Sequence, residues 1–244
     1  MRIDGRVVLV TGGSAGIGAA LVRQLSDKGA RVIVTGRDKE RLEEVAAYHL
    51  DIVTYRVDFS DSTAVDKFIA TMASTHPDLS LVINNAGVQT EMDLVNATAL
   101  LPDVRVELAV NLEAVVALTI GLLPAVVARG GGAIVNVTSG LAIAPKEASP
   151  VYCAAKAGLR SFTKAMRYQC ELRAPEVKIV EVVMALVDTG MTAGRGRGKI
   201  SPAKAARGIV RGIEAGDDEV WIGKTKLLRV LNRMSPSLVE RIMR

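Results

Sequence analysis

Short apolar runs rich in β-branched residues alternate along the chain with longer segments whose apolar positions recur at helical spacing. The runs predict buried strands, and the longer segments predict helices with one apolar face. Strand–helix alternation favours an α/β fold, namely a three-layer, doubly wound parallel sheet of about seven strands. The predicted strands are 6–11, 31–35, 52–57, 80–83, 132–138, 177–183 and 219–222, and the predicted helices are 16–28, 38–49, 62–75, 103–128, 150–173 and 202–215.

No linker or repeat divides the alternation, so residues 1–244 are interpreted as a single domain. Residues 188–201 are rich in Gly and Arg and have low helix propensity, which fits a substrate loop or a flexible connection equally well. Residues 224–244 form a basic amphipathic tail. Such a tail can lie on an anionic membrane, but packing on the domain or on a second subunit is the commoner outcome, so we expect no membrane contact.

The amino-acid composition argues against some classes of function. The chain of 244 residues is 49% hydrophobic but only 3% aromatic, so its core must consist largely of aliphatic side chains. Scarce aromatic residues argue against a nucleic-acid binder that stacks bases. The net charge of +5 fits a solvated surface, and part of it can serve an anionic ligand.

Cysteine and histidine usage gives no sign of a metal site or a disulfide. Cys153 and Cys170 fall on one predicted helix about 25 Å apart and cannot bond, while His49 and His76 are isolated. Unpaired thiols suggest a reducing compartment, so a cytoplasmic location is expected. Polar residues interrupt the most apolar stretch, 106–128, and we predict no membrane span.

A glycine-rich turn follows the first predicted strand and opens the first helix. The sequence Thr11–Gly18 reads TGGSAGIG, the strand–turn–helix context in which a dinucleotide pyrophosphate sits on a helix N-terminus. The fold is therefore predicted to be of the Rossmann type, with nucleotide contacts from this turn. The contacting residues are predicted to be Gly12, Ser14, Gly16, Ile17 and Gly18.

The end of the second strand bears on the choice of nucleotide. An acidic residue there hydrogen-bonds the ribose 2′-OH of NAD, whereas an arginine accommodates the 2′-phosphate of NADP. Here Gly36 leaves that position without a side chain and Arg37 follows it. NADP is favoured over NAD, although Arg37 could instead be a solvated residue paired with Asp38.

Three residues form a candidate catalytic group. Tyr152 and Lys156 lie four positions apart on one helix face, and Ser139 ends an apolar strand 13 residues earlier. A nearby ammonium should lower the pKa of the phenol and bring it into range for proton transfer. The serine hydroxyl could hydrogen-bond a substrate carbonyl, since ligands bind at the carboxyl ends of such strands.

With these motifs the chain resembles short-chain dehydrogenases/reductases over essentially its whole length. Thr11–Gly18 matches the family's TGxxxGxG turn, and Asn84–Gly87 matches its NNAG segment. The resemblance implies an enzyme acting on CH–OH or C=O groups, by hydride transfer between a nicotinamide and a carbonyl or alcohol substrate. A non-catalytic nucleotide-sensing protein on the same fold is the alternative. The matching catalytic tetrad is Asn111, Ser139, Tyr152 and Lys156.

The resemblance also assigns a role to Asn111 of the tetrad and to residues that would contact the cofactor. Asn111 would hold a water in a proton relay from Lys156, and as a polar residue in an apolar helix it could also satisfy a helix irregularity. Met184-Ala185 stands where the family has Pro-Gly, which puts the path to Val187 and Thr189 in doubt. The implied cofactor contacts are Asp58, Phe59, Asn85, Ala86, Gly87, Tyr152, Lys156, Val187 and Thr189.

Within the family, Asn84–Gln89 and Pro145–Lys156 look similar to oxidoreductases of the D-alanylation-operon type. Substrate contacts are expected from Gln89, Leu141 and Lys146, and no feature there names the substrate. We expect a homodimer or homotetramer assembled through the long helices 103–128 and 150–173.

Overall fold

The computed structural model describes residues 1–96, 101–237 and 239. Seven parallel strands form one sheet in the order β3-β2-β1-β4-β5-β6-β7, which confirms the predicted doubly wound α/β fold. The order reverses between β1 and β4, the switch point at which such sheets bind ligands. The strands are β1 (Val7–Val10), β2 (Arg31–Gly36), β3 (Ile52–Arg56), β4 (Leu79–Asn84), β5 (Gly132–Ser139), β6 (Val177–Met184) and β7 (Glu219–Trp221).

Helices cover both faces of the sheet, and each face has its own apolar core. Leu21 and Leu25 of the first helix pack with Ile209 of the seventh on one face. Phe68 of the third helix and Leu118 of the fifth pack on the other. The helices are α1 (Gly16–Ser26), α2 (Lys39–Ala46), α3 (Ser62–Thr75), α4 (Leu101–Leu108), α5 (Ala114–Ala128), α6 (Pro150–Arg173), α7 (Pro202–Ala215) and α8 (Thr225–Met234).

The helix predicted over 103–128 is not a uniform α-helix. It runs from Leu101 to Ala128, and the turn Ala109–Glu113 between α4 and α5 has π-helical hydrogen bonding. By length and composition alone this helix could cross a membrane, since an 18-residue window within it has a mean hydropathy of 2.0. Its inward face, including Leu118 and Leu122, is part of the sheet core. We interpret it as a core helix.

Residues 188–201 form a loop tied at several points. Val187 pairs with Ile200 in an isolated parallel bridge, Gly190–Thr192 makes one 3₁₀ turn, and Lys199 Nζ donates to the Thr192 carbonyl at 2.6 Å. The beginning of the predicted tail is α8, whereas residues 238 and 240–244 lie outside the described residues.

Helix α8 is attached to the domain through β6 and β7. Thr225 Oγ1 donates to the Val183 carbonyl at 3.0 Å. On β7, the Trp221 ring lies near two guanidinium groups, Arg160 at 5.6 Å and Arg229 of α8 at 5.2 Å from its centroid. The described part of the tail is therefore anchored at its first turn and again one turn later.

Candidate active site

Parallel strands bring the ends of β1, β4, β5 and β6 to one edge of the sheet. The glycine turn leaves β1 at this edge, and Asn85 follows β4 beside it. Ser139 is the last residue of β5 and pairs in register with Met184, the last residue of β6. The nucleotide-binding and catalytic motifs of the sequence therefore converge at the carboxyl edge of the sheet.

The glycine turn has room for backbone but not for side chains. Gly12 has a φ of +62°, which favours glycine, and a Cβ at this position would lie 2.8 Å from the Cα of Ala86. A Cβ at Gly18 would lie 2.1 Å from the Gly12 carbonyl oxygen. Helix α1 begins after Ala15 with no capping side chain and no acidic residue in its first turn. Its free N–H groups fit a pyrophosphate.

The NNAG segment is hydrogen-bonded to this turn. Thr11 Oγ1 accepts from the backbone N–H groups of Asn85 at 2.9 Å and Ala86 at 3.0 Å. In return, the Asn85 side-chain amide donates to the Thr11 carbonyl at 3.0 Å and the Gly12 carbonyl at 3.3 Å. The Asn85 side chain is thus bonded to the turn. Its backbone is the part that remains available to line a ribose.

The segment after β6 reaches the glycine turn despite Met184-Ala185. A Cβ at Gly16 would lie 3.0 Å from Thr189 Cγ2, so Thr189 contacts the start of α1. Thr189 and Thr192 cap each other's backbone N–H groups, and Thr192 Oγ1 donates to the Val187 carbonyl at 2.5 Å. Thr189 therefore lies beside the glycine turn, and Val187 is tied to it through Thr192.

Two arginines meet at the ends of β2 and β3. Asp38 caps α2 and pairs with Arg41 at 3.3 Å, so it is not the partner of Arg37. Arg37 is exposed and makes no ion pair with any described residue. Arg56, opposite Gly36 in register, donates from Nε to the Arg37 carbonyl at 3.0 Å. Sequence reasoning missed Arg56, although the predicted β2–β3 pairing places it at this edge.

The two residues expected near an adenine behave differently. Asp58 is exposed, and the Ser60 backbone N–H, bonded to its carboxylate at 2.9 Å, holds the Asp58 pKa below its usual value. The Phe59 ring is buried in the core, edge-on to Phe68 with 6.4 Å between centroids. The Phe59 side chain is therefore part of the core, and its backbone is the part that remains for contact with a nucleotide.

The candidate catalytic residues come together at the end of β5. Ser139 Oγ accepts from the Leu141 backbone N–H at 3.1 Å, and Ser139 lies near enough to Tyr152 to lower the pKa of its phenol. Lys156 is buried, and its Nζ donates to the Val137 carbonyl at 2.9 Å. The same Nζ lies 5.7 Å from the centroid of the Tyr152 ring.

Burial controls the proton affinities of this pair. It raises the pKa of Tyr152 to about 12, a rise that nearby Ser139 partly offsets. It also lowers the pKa of Lys156 to about 8. The expected lowering of the phenol pKa by Lys156 is therefore not found, because desolvation outweighs it while the ammonium is directed at the Val137 carbonyl. Tyr152 is a neutral phenol at physiological pH.

Asn111 lies in the π turn and is fully buried. Its amide donates to the Glu107 carbonyl at 2.9 Å and the Val88 carbonyl at 2.7 Å, and its Oδ1 accepts from the Val88 N–H at 3.2 Å. The side chain therefore bonds the Glu107 carbonyl within its own helix and ties that helix to Val88, in the segment after β4. A Cβ at Gly87 would lie 2.9 Å from Asn111 Oδ1 and 3.8 Å from Lys156 Nζ, so the absent side chain keeps these two groups close.

Glu107, one helical turn before Asn111, is a buried acid that sequence reasoning missed. It is 1% exposed, and Oε1 accepts from the Thr90 N–H at 3.1 Å. Oε2 has no hydrogen-bond partner among the described residues. Burial raises the Glu107 pKa, and its charge in turn raises that of Tyr152. The sequence signal that could have identified Glu107 is its position four residues before Asn111, which places both side chains on one face of a helix.

The candidate substrate residues lie on the segments that follow β4 and β5. Gln89 Nε2 donates to Ser149 Oγ at 3.0 Å, and Leu141 follows directly on the Ser139 turn. Lys146 Nζ is bonded to Glu91 Oε1 at 3.0 Å, and Arg195 Nη1 lies 3.7 Å from the same oxygen. The charge of Lys146 is therefore paired with that of Glu91.

The chain matches the family model for short chain dehydrogenase over residues 6–199. The chain belongs to the short-chain dehydrogenase/reductase family. It is 34% identical over 240 residues to DltE, an uncharacterised oxidoreductase of Bacillus subtilis (strain 168), covering 96% of this chain and 94% of that protein. The similarity to oxidoreductases of this type is confirmed.

Solved structures of short-chain dehydrogenases have the same fold as this chain. A short-chain dehydrogenase from Burkholderia cenocepacia J2315, determined in complex with NADP, superposes with a TM-score of 0.87 at 28% identity and full coverage of both chains. A family member from Burkholderia phymatum, determined in complex with NAD, superposes with a TM-score of 0.86 at 19% identity, covering 98% and 96% of the two chains, and shows the fold alone. The family consists of oxidoreductases acting on CH–OH and C=O groups with nicotinamide cofactors.

Proposed function

We propose that this chain is an NADP-dependent oxidoreductase that interconverts a carbonyl and an alcohol through Ser139, Tyr152 and Lys156. The observation that carries the proposal is the meeting of these three side chains at the end of β5, beside the glycine turn. Family membership supports the reaction class, and the substrate is a small molecule.

Ser139, Tyr152 and Lys156 have different roles in the proposed reaction. When bound, the nicotinamide supplies or accepts the hydride. Ser139 donates a hydrogen bond to the substrate oxygen and polarises the carbonyl. Tyr152, neutral at physiological pH, donates its proton to that oxygen as negative charge develops there. Lys156 provides positive charge to the phenolate that remains.

Asn111 supports this arrangement from the π turn. Its Oδ1 and Lys156 Nζ both lie against Gly87, so Asn111 is placed to hold a water that returns a proton towards Lys156. Because the Asn111 side chain also bonds Val88, it positions the segment after the NNAG motif.

The preference for NADP is supported by charge at the ends of β2 and β3. Arg37 and Arg56 are adjacent, exposed and free of ion pairs with the described residues. Two unpaired guanidinium groups suit the 2′-phosphate, with which arginine forms bidentate hydrogen bonds. The complex of the Burkholderia cenocepacia relative with NADP supports the same choice.

We further propose a cytoplasmic homodimer or homotetramer. Apolar side chains on the long helices remain exposed in the single chain, among them Ile120 of α5 and Leu172 of α6. The free, buried thiols of Cys153 and Cys170 fit a reducing compartment.

The test measures binding of NADPH and NADH, and then turnover of a panel of carbonyl compounds with the preferred cofactor. Tyr152→Phe should bind cofactor as the wild type does and lose turnover by roughly a hundred-fold or more. Tyr168→Phe, an exposed tyrosine on the same helix, is the matched control and should be unaffected. Unchanged turnover in Tyr152→Phe would refute the mechanism. Cofactor binding without turnover of any compound by the wild type would favour a nucleotide-sensing protein.

A further inference from the structure

Helix α8 divides its apolar side chains between the domain and the surface. Leu228 is half-buried and packs on Gly140, where a Cβ would lie 3.0 Å from Leu228 Cδ2. Leu227, Val230 and Met234 point elsewhere, with 60%, 52% and 78% of their surface exposed. These three residues recur at helical spacing and form an outward apolar stripe. Packing on its own domain therefore accounts for only part of the apolar face of α8.

Basic side chains line a groove beside this stripe, and Val230 and Met234 lie at the same groove. Helices α7 and α8 form the walls of a groove of about 1340 Å³, with β7 at its base. Its acidic lining residues are Asp217 and Glu219, and none of its basic residues makes an ion pair with any part of the chain that the structure describes. The basic lining residues, all exposed, are Lys204, Arg207, Arg211, Lys226, Arg229 and Arg233.

We propose that the α7–α8 surface docks on an anionic lipid bilayer, with the stripe Leu227, Val230 and Met234 entering the headgroup region and the groove cations contacting lipid phosphates. Basic amphipathic helices bind membranes in this way, through apolar insertion combined with attraction to anionic headgroups. Each lysine or arginine near such a surface strengthens binding.

The exposed apolar stripe and the groove cations together favour a bilayer over other occupants of this surface. A nucleic acid or a soluble anion would neutralise the cations but leave the apolar stripe in water. A second copy related by a two-fold axis would cover the stripe but place the six cations against six more, with only Asp217 and Glu219 from each copy to offset them. An anionic bilayer satisfies both the apolar and the charged side chains.

The attachment of α8 makes this surface a rigid one. Thr225 bonds to β6, Leu228 packs on Gly140, and Arg229 stacks on Trp221. Gly140 directly follows Ser139, so α8 lies behind the turn that carries the catalytic serine. A bilayer held against α8 would thus fix the orientation of the whole domain, and not merely tether a tail.

The experiment is co-sedimentation of the full-length protein with vesicles of phosphatidylcholine alone, or of phosphatidylcholine mixed with phosphatidylglycerol. Binding is expected to the mixed vesicles, to weaken at high salt, and to be absent with phosphatidylcholine. Lys226→Gln with Arg233→Gln should lower the partition coefficient roughly thirty-fold. The matched control, Lys39→Gln with Arg41→Gln, removes two exposed cations from α2 and should change nothing.

A second pair tests the apolar stripe. Leu227→Gln with Met234→Gln should reduce binding to the mixed vesicles at least ten-fold, whereas Leu50→Gln with Leu94→Gln, two other exposed leucines, should not. Unchanged NADPH binding and melting temperature show that each variant is folded. Absence of wild-type binding to the mixed vesicles would overturn the proposal. A stripe variant that dissociates oligomers but still binds vesicles would also overturn it, because α8 would then be a contact between copies.

Discussion

The ammonium of Lys156 donates to the carbonyl oxygen of Val137 at 2.9 Å, two residues before Ser139 on the same strand. Strand β5 thus holds both the serine and the charge that faces Tyr152. The contact keeps Lys156 buried, and burial lowers its pKa to about 8. The stability and the activity of the protein should therefore both change with pH near this value.

Replacing Lys156 by methionine should stabilise the protein without cofactor at pH 7. The Lys156 pKa is about 8 in the folded chain and 10.5 in the unfolded one, so the folded state binds this proton less tightly. Below pH 8 the buried charge then costs up to about 3 kcal/mol, offset by about 1 kcal/mol for the lost hydrogen bond.

As pH rises from about 8 towards 10.5 this cost disappears, and the advantage of the methionine variant should shrink with it. Urea denaturation at pH 7 and pH 10 measures both effects. Lys164→Met, an exposed lysine of α6, is the control. Equal stability of the Lys156→Met variant and the wild type at both pH values would show that burial does not perturb Lys156.

Carbonyl reduction should slow as pH rises through about 8. In the free enzyme Lys156 loses its proton there, while Tyr152, with a pKa of about 12, keeps its own. The profile of kcat/KM for NADPH, which reports the free enzyme, is therefore expected to fall with one apparent pKa near 8. A flat profile between pH 7 and pH 9 would contradict the assignment.

Gly18→Ala should disrupt the glycine turn. The new methyl group would lie 2.1 Å from the Gly12 carbonyl oxygen, and relieving that overlap should cost about 1–3 kcal/mol of stability and most of the nucleotide affinity. Gly190→Ala is a matched control, since a Cβ there meets no atom within 4 Å. Thermal melts and NADPH titrations distinguish the two, and equal behaviour would mean that the turn tolerates side chains.

Arg37→Gln combined with Arg56→Gln should weaken NADPH binding about ten- to a hundred-fold and leave NADH binding nearly unchanged. The reason is that both guanidinium groups lie at the strand ends where a 2′-phosphate would be held, and neither makes an ion pair with a described residue. Arg41→Gln removes a neighbouring cation that is already paired with Asp38. Equal losses for both nucleotides would instead indicate a general electrostatic effect.

The strands and the glycine turn were predictable because their signals are local. Continuous Val and Ile runs identified β1 and β5, and the glycine spacing from Gly12 to Gly18 placed the nucleotide turn. Tyr152 and Lys156 lie four apart on one helix, so their proximity followed from helix geometry alone.

What the sequence left open depends on contacts between distant segments. Arg56 joins Arg37 only through the pairing of β2 with β3, and Glu107 becomes buried only when α4 packs beside Thr90. The direction of the Tyr152 pKa shift could not be predicted either, because it depends on how completely the fold excludes water from the phenol.

Trp221, the only tryptophan in the sequence, contacts both Arg160 of the domain and Arg229 of α8. Its indole emission consequently reports on one place in the molecule, the junction of α8 with the sheet. Any event that shifts α8, whether subunit assembly, vesicle contact or cofactor entry near Ser139, should change the intensity or wavelength of that emission. The chain thus contains its own optical probe, which follows this helix without an attached dye.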